Sequence, residues 1–309
     1  MSETARAQRL SRLAHEELVT VAGEGAAGGT WHAIGEIARH REMLMLLIRR
    51  DLKSRYKDSV LGFAWSLVKP IFQLLIYFVI IGHVLGAAAN TPNYGVYVFA
   101  GLIIYGFFSE IITGSTGSIV GNSGLIKKIY LPREVFPLAS VGSAVFNFSM
   151  QFVILLAATV LTRAFPISPG LVYLLPSVLL ILVYGTAFGL LLAAANVYLR
   201  DIQYLVEVVM MLLLWASPIV YPFTMASTQI AKVFGAHSWV QQIYTDNPIT
   251  LAVLGFRKAM WTSGQALGPA MYPDHLLLRT GVAFVVGVIL LVLFQRVFAR
   301  LQGNFAQEI

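Results

Sequence analysis

The feature that most limits how this chain can fold is an apolar stretch, from Pro70 to Ile126, that holds a single formal charge at Glu110. A helix needs about 20 consecutive apolar residues to cross the ~30 Å hydrocarbon core of a bilayer. The stretch is long enough for two crossings, which the turn-rich and cation-free segment 86–93 would separate. Only 12% of all residues are charged, against about 25% in soluble proteins, and the mean hydropathy is +0.73. These properties predict a multi-pass membrane protein.

Six membrane-spanning helices account for the apolar runs. We therefore predict an all-α integral membrane protein, with both termini in the cytoplasm because the cationic connections lie on that side. Its predicted organisation is a flexible tail over 1–35, a surface helix over 36–58 and a membrane domain over 59–309. The predicted spans are 61–85, 94–118, 135–162, 171–197, 204–220 and 276–298.

Segment 36–58 is predicted to form an amphipathic helix that lies on the membrane surface. Its apolar residues recur at spacings of three and four, which is the period of one helix face. Arg49, Lys53 and Lys57 are spaced four apart on another face, with Arg50 beside them. Such a helix either anchors the chain or presents a surface to a partner protein and to anionic lipid headgroups. Basic residues at the edge of an apolar span indicate lipid, so the net charge of +7 does not predict a nucleic-acid partner.

A short segment, residues 125–133, separates the second and third predicted spans. It is too short to cross the membrane, and Lys127, Lys128 and Arg133 indicate that it lies on the cytoplasmic side. One interpretation is a simple turn whose cations fix the topology. The other is a docking helix that carries force from a soluble partner, because a solvated turn does not require apolar side chains among its cations. Those apolar residues are Ile126, Ile129, Tyr130 and Leu131.

The region 221–275 is neither a span nor a short loop. Its amphipathic pieces predict external re-entrant or surface helices over 223–261. Asn247 and Pro248 mark the start of one of these helices, because asparagine caps a first helical turn and proline fits the first helical position.

The sequence contains no motif for nucleotide or metal chemistry. No glycine is followed by lysine, so a Walker A phosphate loop cannot be matched. The six histidines are scattered and cysteine is absent, so we expect no metal site and no cofactor bound by this chain. Glu110 is a candidate intramembrane acid, which either serves transport or pairs within the helix bundle. Glycines spaced four apart predict close helix packing, at Gly117 and Gly121 and at Gly185 and Gly189.

Four stretches resemble the permease subunits of polysaccharide ABC exporters, the type-2 ABC exporter family. They are 47–57 (LIRRDLKSRYK), 61–70 (LGFAWSLVKP), 125–133 (LIKKIYLPR) and 247–250 (NPIT). The resemblance implies a transport subunit rather than an enzyme. Its cargo would be a lipid-linked polysaccharide of the polyprenyl-diphosphate type, such as O-antigen, galactan or teichoic acid, moved across the bacterial inner membrane. The resemblance also implies a homodimer that binds two ATP-binding-cassette subunits, which hold the ATP and Mg²⁺.

The same resemblance assigns roles to individual residues. The coupling helix that docks the ATPase would comprise Leu125, Ile126, Lys127, Lys128, Ile129, Tyr130, Leu131, Pro132 and Arg133. The surface helix would meet the lipid diphosphate through Arg49, Arg50, Lys53, Arg55, Tyr56 and Lys57. The helices over 223–261 would form an external gate that includes Asn247 and Pro248.

Aromatic residues are concentrated in the first two predicted spans. An aromatic face accepts the C–H groups of a sugar ring without requiring a fixed polar pattern, so aromatic residues that line a path would contact the cargo. Others would face lipid or lie in interfacial belts. The candidates for the path are Tyr77, Phe78, Tyr97, Phe99, Tyr105 and Phe108.

Two other function classes compete with ATP-driven export. An ion-coupled flippase for lipid-linked sugars would work without an ATPase partner, but it would normally show several buried charges and an internal repeat. A membrane-embedded enzyme that modifies lipid-linked sugar would need acids or histidines grouped on one face. The external candidates for that role, Asp246, Asp274 and His275, are dispersed along the sequence.

Overall fold

A computed structural model describes residues 35–56, 64–84, 86–128, 131–235, 238–268 and 271–308. These residues form helices and connecting turns, and the described ranges contain no β-strand. The predicted all-α class is therefore confirmed. The predicted tail over 1–35 lies almost wholly outside the described residues.

Twelve α-helices are numbered here in chain order. They are α1 (Arg41–Tyr56), α2 (Ala64–Ile76), α3 (Tyr94–Gly121), α4 (Ser123–Ile126), α5 (Val135–Leu161), α6 (Leu174–Tyr198), α7 (Ile202–Ala216), α8 (Phe223–Phe234), α9 (Trp239–Asp246), α10 (Pro248–Met260), α11 (Leu276–Leu301) and α12 (Phe305–Glu308). Helix α2 continues as a π-helical segment, Tyr77–Val84. Short 3₁₀ turns cover Ala87–Asn90, Pro169–Tyr173, Thr262–Leu267 and Gln302–Asn304.

Four helical stretches in the described part of the chain are long and apolar enough to cross a membrane. They are Tyr94–Gly121, Val135–Leu161, Pro169–Tyr198 and Leu276–Asn304. The other two predicted spans correspond to shorter apolar helices, Pro70–Val84 and Ile202–Ala216. The count of six crossings and the cytoplasmic placement of both termini therefore stay predictions.

Helix α7 ends earlier than the predicted span 204–220. Proline has no backbone N–H and restricts the residue before it to extended conformations, so Pro218 stops the helix. Ser217 is accordingly extended, with φ −115° and ψ 150°. At 1.5 Å per residue the 15 residues of α7 reach about 22 Å, which is shorter than the ~30 Å core of a bilayer. Residues 217–222 continue the chain without helical structure.

Helix α3 is the centre of the bundle. In its most apolar window 78% of the residues are buried, against 22% in α5 and in α11. Helix α6 approaches α3 closely because Gly185 and Gly189 face it, and a Cβ on either would lie 2.9 Å from a side-chain atom of α3. The glycine packing predicted there is confirmed. The close packing predicted at Gly117 and Gly121 is not found among the described residues, because a Cβ on either would meet no described atom within 4 Å.

The segment predicted as one helix over 125–133 is helical only at its start. Helix α4 ends at Ile126, Lys127 and Lys128 form a turn, and Leu131 and Pro132 are not helical. Proline disfavours helical conformation at the residue before it, so Pro132 accounts for the non-helical Leu131 but not for the earlier end of α4 at Ile126. Ile129 and Tyr130 lie outside the described residues.

Candidate functional site

Helix α1 packs across the ends of the membrane helices that are predicted to be cytoplasmic. Leu47 is buried in an apolar cluster with Val135 and Phe136 of α5, and Ile126 packs against the same cluster. Gly142 makes room for this contact, because a Cβ there would collide with the side chain of Ile48. The predicted surface helix and the start of segment 125–133 therefore share one hydrophobic core.

A side-chain hydrogen bond also joins α1 to Asn122, which lies three residues before segment 125–133. Arg50 Nη2 donates to Asn122 Oδ1 at 2.6 Å, and the same guanidinium pairs with Asp51 at 2.8 Å. Asn122 is the residue directly after α3, and its side-chain nitrogen donates to the carbonyl of Ser118 at 2.7 Å, which fixes the orientation of the amide. Any displacement of segment 125–133 must therefore act on α1 as well as on α3.

Exposed cations surround this joint. We define the cationic cytoplasmic surface, named for the side of the membrane on which it is predicted to lie, as Arg49, Arg50, Lys53, Lys127 and Lys128, all of which are exposed. The first three lie on α1 and the last two follow α4, so the Arg50–Asn122 bond brings the two predicted groups together. Such a surface attracts carboxylates of a protein partner or phosphates of a lipid. Of the other predicted residues, Lys57 and the side chains of Arg55 and Tyr56 lie outside the description.

The end of segment 125–133 is held against the C-terminal residues. The Arg133 guanidinium lies 5.7 Å from the ring centroid of Phe305, which is fully buried. Glu134 is only 4% exposed, and its burial, followed by repulsion from Glu36, raises the pKa of this carboxyl. A hydrogen bond with the side chain of Gln302 acts in the opposite direction. Leu131 and Pro132, beside these residues, are half-buried.

The predicted external helices contain a second polar assembly around Arg257 of α10, which is 1% exposed. Its Nε donates to the carbonyl of Tyr97 at 3.0 Å, and its Cζ lies 3.7 Å from the Tyr97 ring centroid. The guanidinium also donates to the carbonyls of Pro218 and Ile219, which follow α7. Gly101 is required for this arrangement, because a Cβ there would lie 2.6 Å from Arg257 Nη2.

Two tyrosines of α3 extend the same pattern. The Tyr94 hydroxyl donates to the carbonyl of Val220 at 3.2 Å, and the Tyr97 hydroxyl donates to the carbonyl of Tyr221 at 2.9 Å. Four consecutive carbonyls, from Pro218 to Tyr221, thus accept side-chain hydrogen bonds. We call Arg257, Tyr94 and Tyr97 the arginine–tyrosine clamp.

Other contacts hold the beginning and end of α10. The side chain of Asn247 accepts from the backbone N–H of Ile249 at 2.9 Å, which confirms the predicted helix cap, and Pro248 occupies the first turn. Trp261 Nε1 donates to the carbonyl of Pro92 at 2.7 Å. The Trp261 bond ties the end of α10 to the residues just before α3, while the gate role of Asn247 and Pro248 stays a prediction.

The sequence model of the family described as ABC-2 type transporter matches residues 42–261. The chain belongs to the ABC-2 type transporter family. The matched range begins in α1 and ends at Trp261, so it includes both the cationic cytoplasmic surface and the arginine–tyrosine clamp. Membership confirms a multi-pass membrane transport component rather than an enzyme, and it implies an ATP-binding-cassette ATPase partner.

Individual relatives of the same family cover between 31% and 86% of this chain. The O-antigen export system permease protein RfbA of Myxococcus xanthus is 30% identical over 200 residues, which is 64% of this chain and 75% of the relative. The protein of the same name from Klebsiella pneumoniae is 28% identical over 269 residues, 86% of this chain and 94% of the relative. The polysialic acid transport protein KpsM of Escherichia coli is 30% identical over 95 residues, 31% of this chain and 35% of the relative.

The six aromatic residues that were predicted to line a path for the cargo fall into two groups. Tyr97, Phe99, Tyr105 and Phe108 are buried within the chain itself, in the core around α3. Tyr77 is half-buried against that core, while Phe78 is exposed and contacts His83 with ring centroids 4.6 Å apart. Tyr97 belongs to the arginine–tyrosine clamp. Contact of any of the six with cargo stays a prediction.

Glu110 lies in the middle of α3 and faces α5. Asn147 Nδ2 donates to Glu110 Oε1 at 2.6 Å, which gives the intramembrane acid a polar partner within the bundle. In the described part of the chain, no group of three or more histidine, cysteine, aspartate or glutamate residues is close enough to hold a metal ion.

Several residues that matter to these sites were not identified from the sequence as functional. Asn122 and Phe305 carried no signal beyond their types, and Glu134 lay just outside the predicted segment 125–133. Arg257 did carry a signal, because cations are usually enriched in cytoplasmic connections and this one was predicted to lie in an external region. That anomaly could have indicated a buried structural arginine.

Proposed function

We propose that this chain is the permease subunit of an ATP-driven exporter that moves a polysaccharide from the cytoplasm to the outer face of a bacterial inner membrane. The observation that carries the proposal is the Arg50–Asn122 joint, which presents the cations of α1 and of segment 125–133 on one cytoplasmic surface. An exporter needs such a surface because its motor is a separate soluble protein. The names of the relatives, an O-antigen export permease and a polysialic acid transport protein, support a polysaccharide as cargo.

The proposal includes the assembly and the form of the cargo. Two copies of the chain would enclose the path, each with six spans and both termini in the cytoplasm, and each would bind one ATP-binding-cassette subunit. The partner would hold ATP and Mg²⁺. The polysaccharide, an O-antigen, galactan or teichoic-acid type chain, would be attached to a polyprenyl-diphosphate-type lipid. Arg49, Arg50 and Lys53 support this form, because exposed cations beside a bilayer attract a diphosphate.

Force would enter through the shared core of α1 and segment 125–133. A movement of the ATPase would displace Lys127 and Lys128 and, through Asn122, the end of α3. Helix α3 is packed on most sides, so its displacement would repack α5 and α6 rather than bend one isolated element.

The charge-reversal variant Lys127→Glu with Lys128→Glu tests the proposal. We expect loss of co-purification with the ATP-binding-cassette partner and loss of polysaccharide export in cells, since both residues are exposed and their reversal should leave the fold intact. The matched control is Lys232→Glu, which reverses an exposed cation on α8, far along the chain from the cytoplasmic surface. Normal partner binding and normal export in the double variant would refute the proposal.

A further inference from the structure

The end of α7 poses a physical problem that the arginine–tyrosine clamp solves. Inside a bilayer, non-helical backbone is tolerated only where protein or water satisfies its polar groups. Helix α7 stops at Ala216, and the next residues have no helical hydrogen bonds to offer. The clamp supplies partners to the carbonyls of Pro218, Ile219, Val220 and Tyr221.

The rest of α7 is held in a different way. Its buried residues are Val206 and Met210, which face α3, and the Tyr105 hydroxyl donates to the Met210 carbonyl. Most of its other large side chains are exposed on the described chain, among them Tyr204, Leu205, Val208, Met211, Leu212 and Trp215. Lipid tails are as apolar as such side chains, so exchanging helix contacts for lipid changes the free energy little.

The two ends of α7 therefore resist displacement unequally. Moving the 217–222 end would leave several carbonyls without partners, and each unsatisfied buried group is costly. Moving the cytoplasmic end, which begins at Ile202 after the exposed turn of Arg200 and Asp201, exchanges mainly apolar contacts. The asymmetry is set by hydrogen bonds to four consecutive carbonyls at one end, against apolar packing and the single Tyr105–Met210 hydrogen bond along the rest of the helix.

We propose that Arg257 is a positioning residue for transport: with Tyr94 and Tyr97 it fixes the outer end of α7, so that α7 swings about residues 217–222 during the transport cycle. This inference rests on the proposed export function. The cytoplasmic end of α7 makes the large displacement, and the clamp keeps the outer end sealed against α3 and α10. Arginine suits the role because one planar guanidinium reaches three carbonyls and a ring face at once.

A distance measurement on the complete complex tests the proposal. The chain contains no cysteine, so pairs of introduced cysteines can carry spin labels without a background signal. One label is placed at Tyr204 or Trp215, both exposed on α7, and the other at Leu175 on α6 or Val160 on α5. Labelled chains are diluted with unlabelled chains so that only distances within one chain are recorded. Double electron–electron resonance then compares the nucleotide-free complex with the complex trapped by Mg²⁺, ADP and vanadate on its partner.

The lever geometry fixes the expected result. At 1.5 Å per residue Tyr204 is about 20 Å from Ser217 along the helix and Trp215 about 3 Å. A rigid swing therefore displaces the label at Tyr204 roughly six times as far as the label at Trp215. Equal displacement of the two labels, or a larger one at Trp215, overturns the proposal.

Two variants examine the clamp itself. Arg257→Gln removes the guanidinium, and Gly101→Ala displaces it by a methyl group while its charge remains. Both should let the outer end move with the inner end and should lower export per ATP hydrolysed by about tenfold or more, a loss of ~1.4 kcal/mol or more. The matched control is Lys258→Gln on the same helix, whose cation contacts Tyr173 and not the carbonyls after α7. If neither clamp variant folds, the label displacements in the unmodified chain still decide whether α7 swings about residues 217–222.

The readouts separate this inference from the proposed function. If the unmodified complex does not export polysaccharide when ATP is hydrolysed, the proposed function fails. If it exports while both labels on α7 move equally, only the role of Arg257 fails. Unchanged displacements and unchanged export in a folded Arg257→Gln variant also overturn the positioning role.

Discussion

The hydrogen bond between Arg50 and Asn122 should contribute measurably to the binding of the ATPase partner. The bond holds α1 and segment 125–133 in one arrangement, at a distance of 2.6 Å between Arg50 Nη2 and Asn122 Oδ1. We therefore expect Asn122→Ala and Arg50→Ala each to weaken partner binding. The two effects should not be additive. Adding Asn122→Ala to the Arg50→Ala variant should weaken partner binding less than Asn122→Ala weakens it in the natural chain.

The size of this coupling follows from exposure. A hydrogen bond to a charged group is worth roughly 1.5–3 kcal/mol when it is well shielded from water. The Arg50 side chain is 47% exposed, so solvent screening reduces the expected coupling to about 1 kcal/mol. That value corresponds to about a fivefold change in the dissociation constant.

The assay is a double-mutant cycle on the dissociation constant between the permease in lipid nanodiscs and its purified ATP-binding-cassette partner. The control cycle pairs Asn122→Ala with Arg49→Ala, because Arg49 is an exposed neighbour for which the described structure shows no bond to Asn122. The control coupling should be near zero. A coupling near zero for the Arg50 pair as well would refute the idea that α1 and segment 125–133 act as one unit.

Three further predictions concern stability and the intramembrane acid. Burial raises the pKa of Glu134, so the folded protein favours the protonated carboxyl. The stability that this preference contributes is present at low pH and is lost as pH rises through the raised pKa. Thermal unfolding should therefore show that the stability of Glu134→Gln increases relative to that of the natural chain as pH rises above the usual titration range of a carboxyl group. Glu110→Gln keeps an acceptor for Asn147 and should leave export and ATP hydrolysis within about twofold, whereas lost export with normal hydrolysis would favour ion coupling. Gly189→Ala forces α6 away from α3 and should cost about 1–3 kcal/mol in unfolding measurements, while Gly117→Ala, with open space around it, should not.

The membrane helices illustrate what a local pattern can predict. The second and third predicted spans, 94–118 and 135–162, lie within about three residues of the ends of α3 and α5 at every boundary. The cap at Asn247 was predictable for the same reason, since it needs only its own residue and the next two. The predicted helix over 125–133 was wrong at Lys127, Lys128, Leu131 and Pro132, and only the error at Leu131 follows from the local effect of Pro132 on the residue before it.

The clamp shows where local patterns stop. The sequence placed Arg257 outside the membrane in an external helix, and Tyr97 among aromatics that could line a path. The structure brings the two together across 160 residues and buries both. Neither residue type nor spacing predicts that partnership, because it depends on how α10 and α3 cross.

The sequence alone determined that this chain is helical, lies in a membrane, lacks a nucleotide-binding loop and resembles an exporter permease. Hydropathy and helix length are properties of windows of about 20 residues, so no knowledge of packing is required. Only the tertiary structure decided that Arg50 meets Asn122, 72 residues away, and that Arg257 holds the end of α7. Such bonds form between residues distant in sequence, and a buried polar group takes whichever partner the packing brings within about 3 Å.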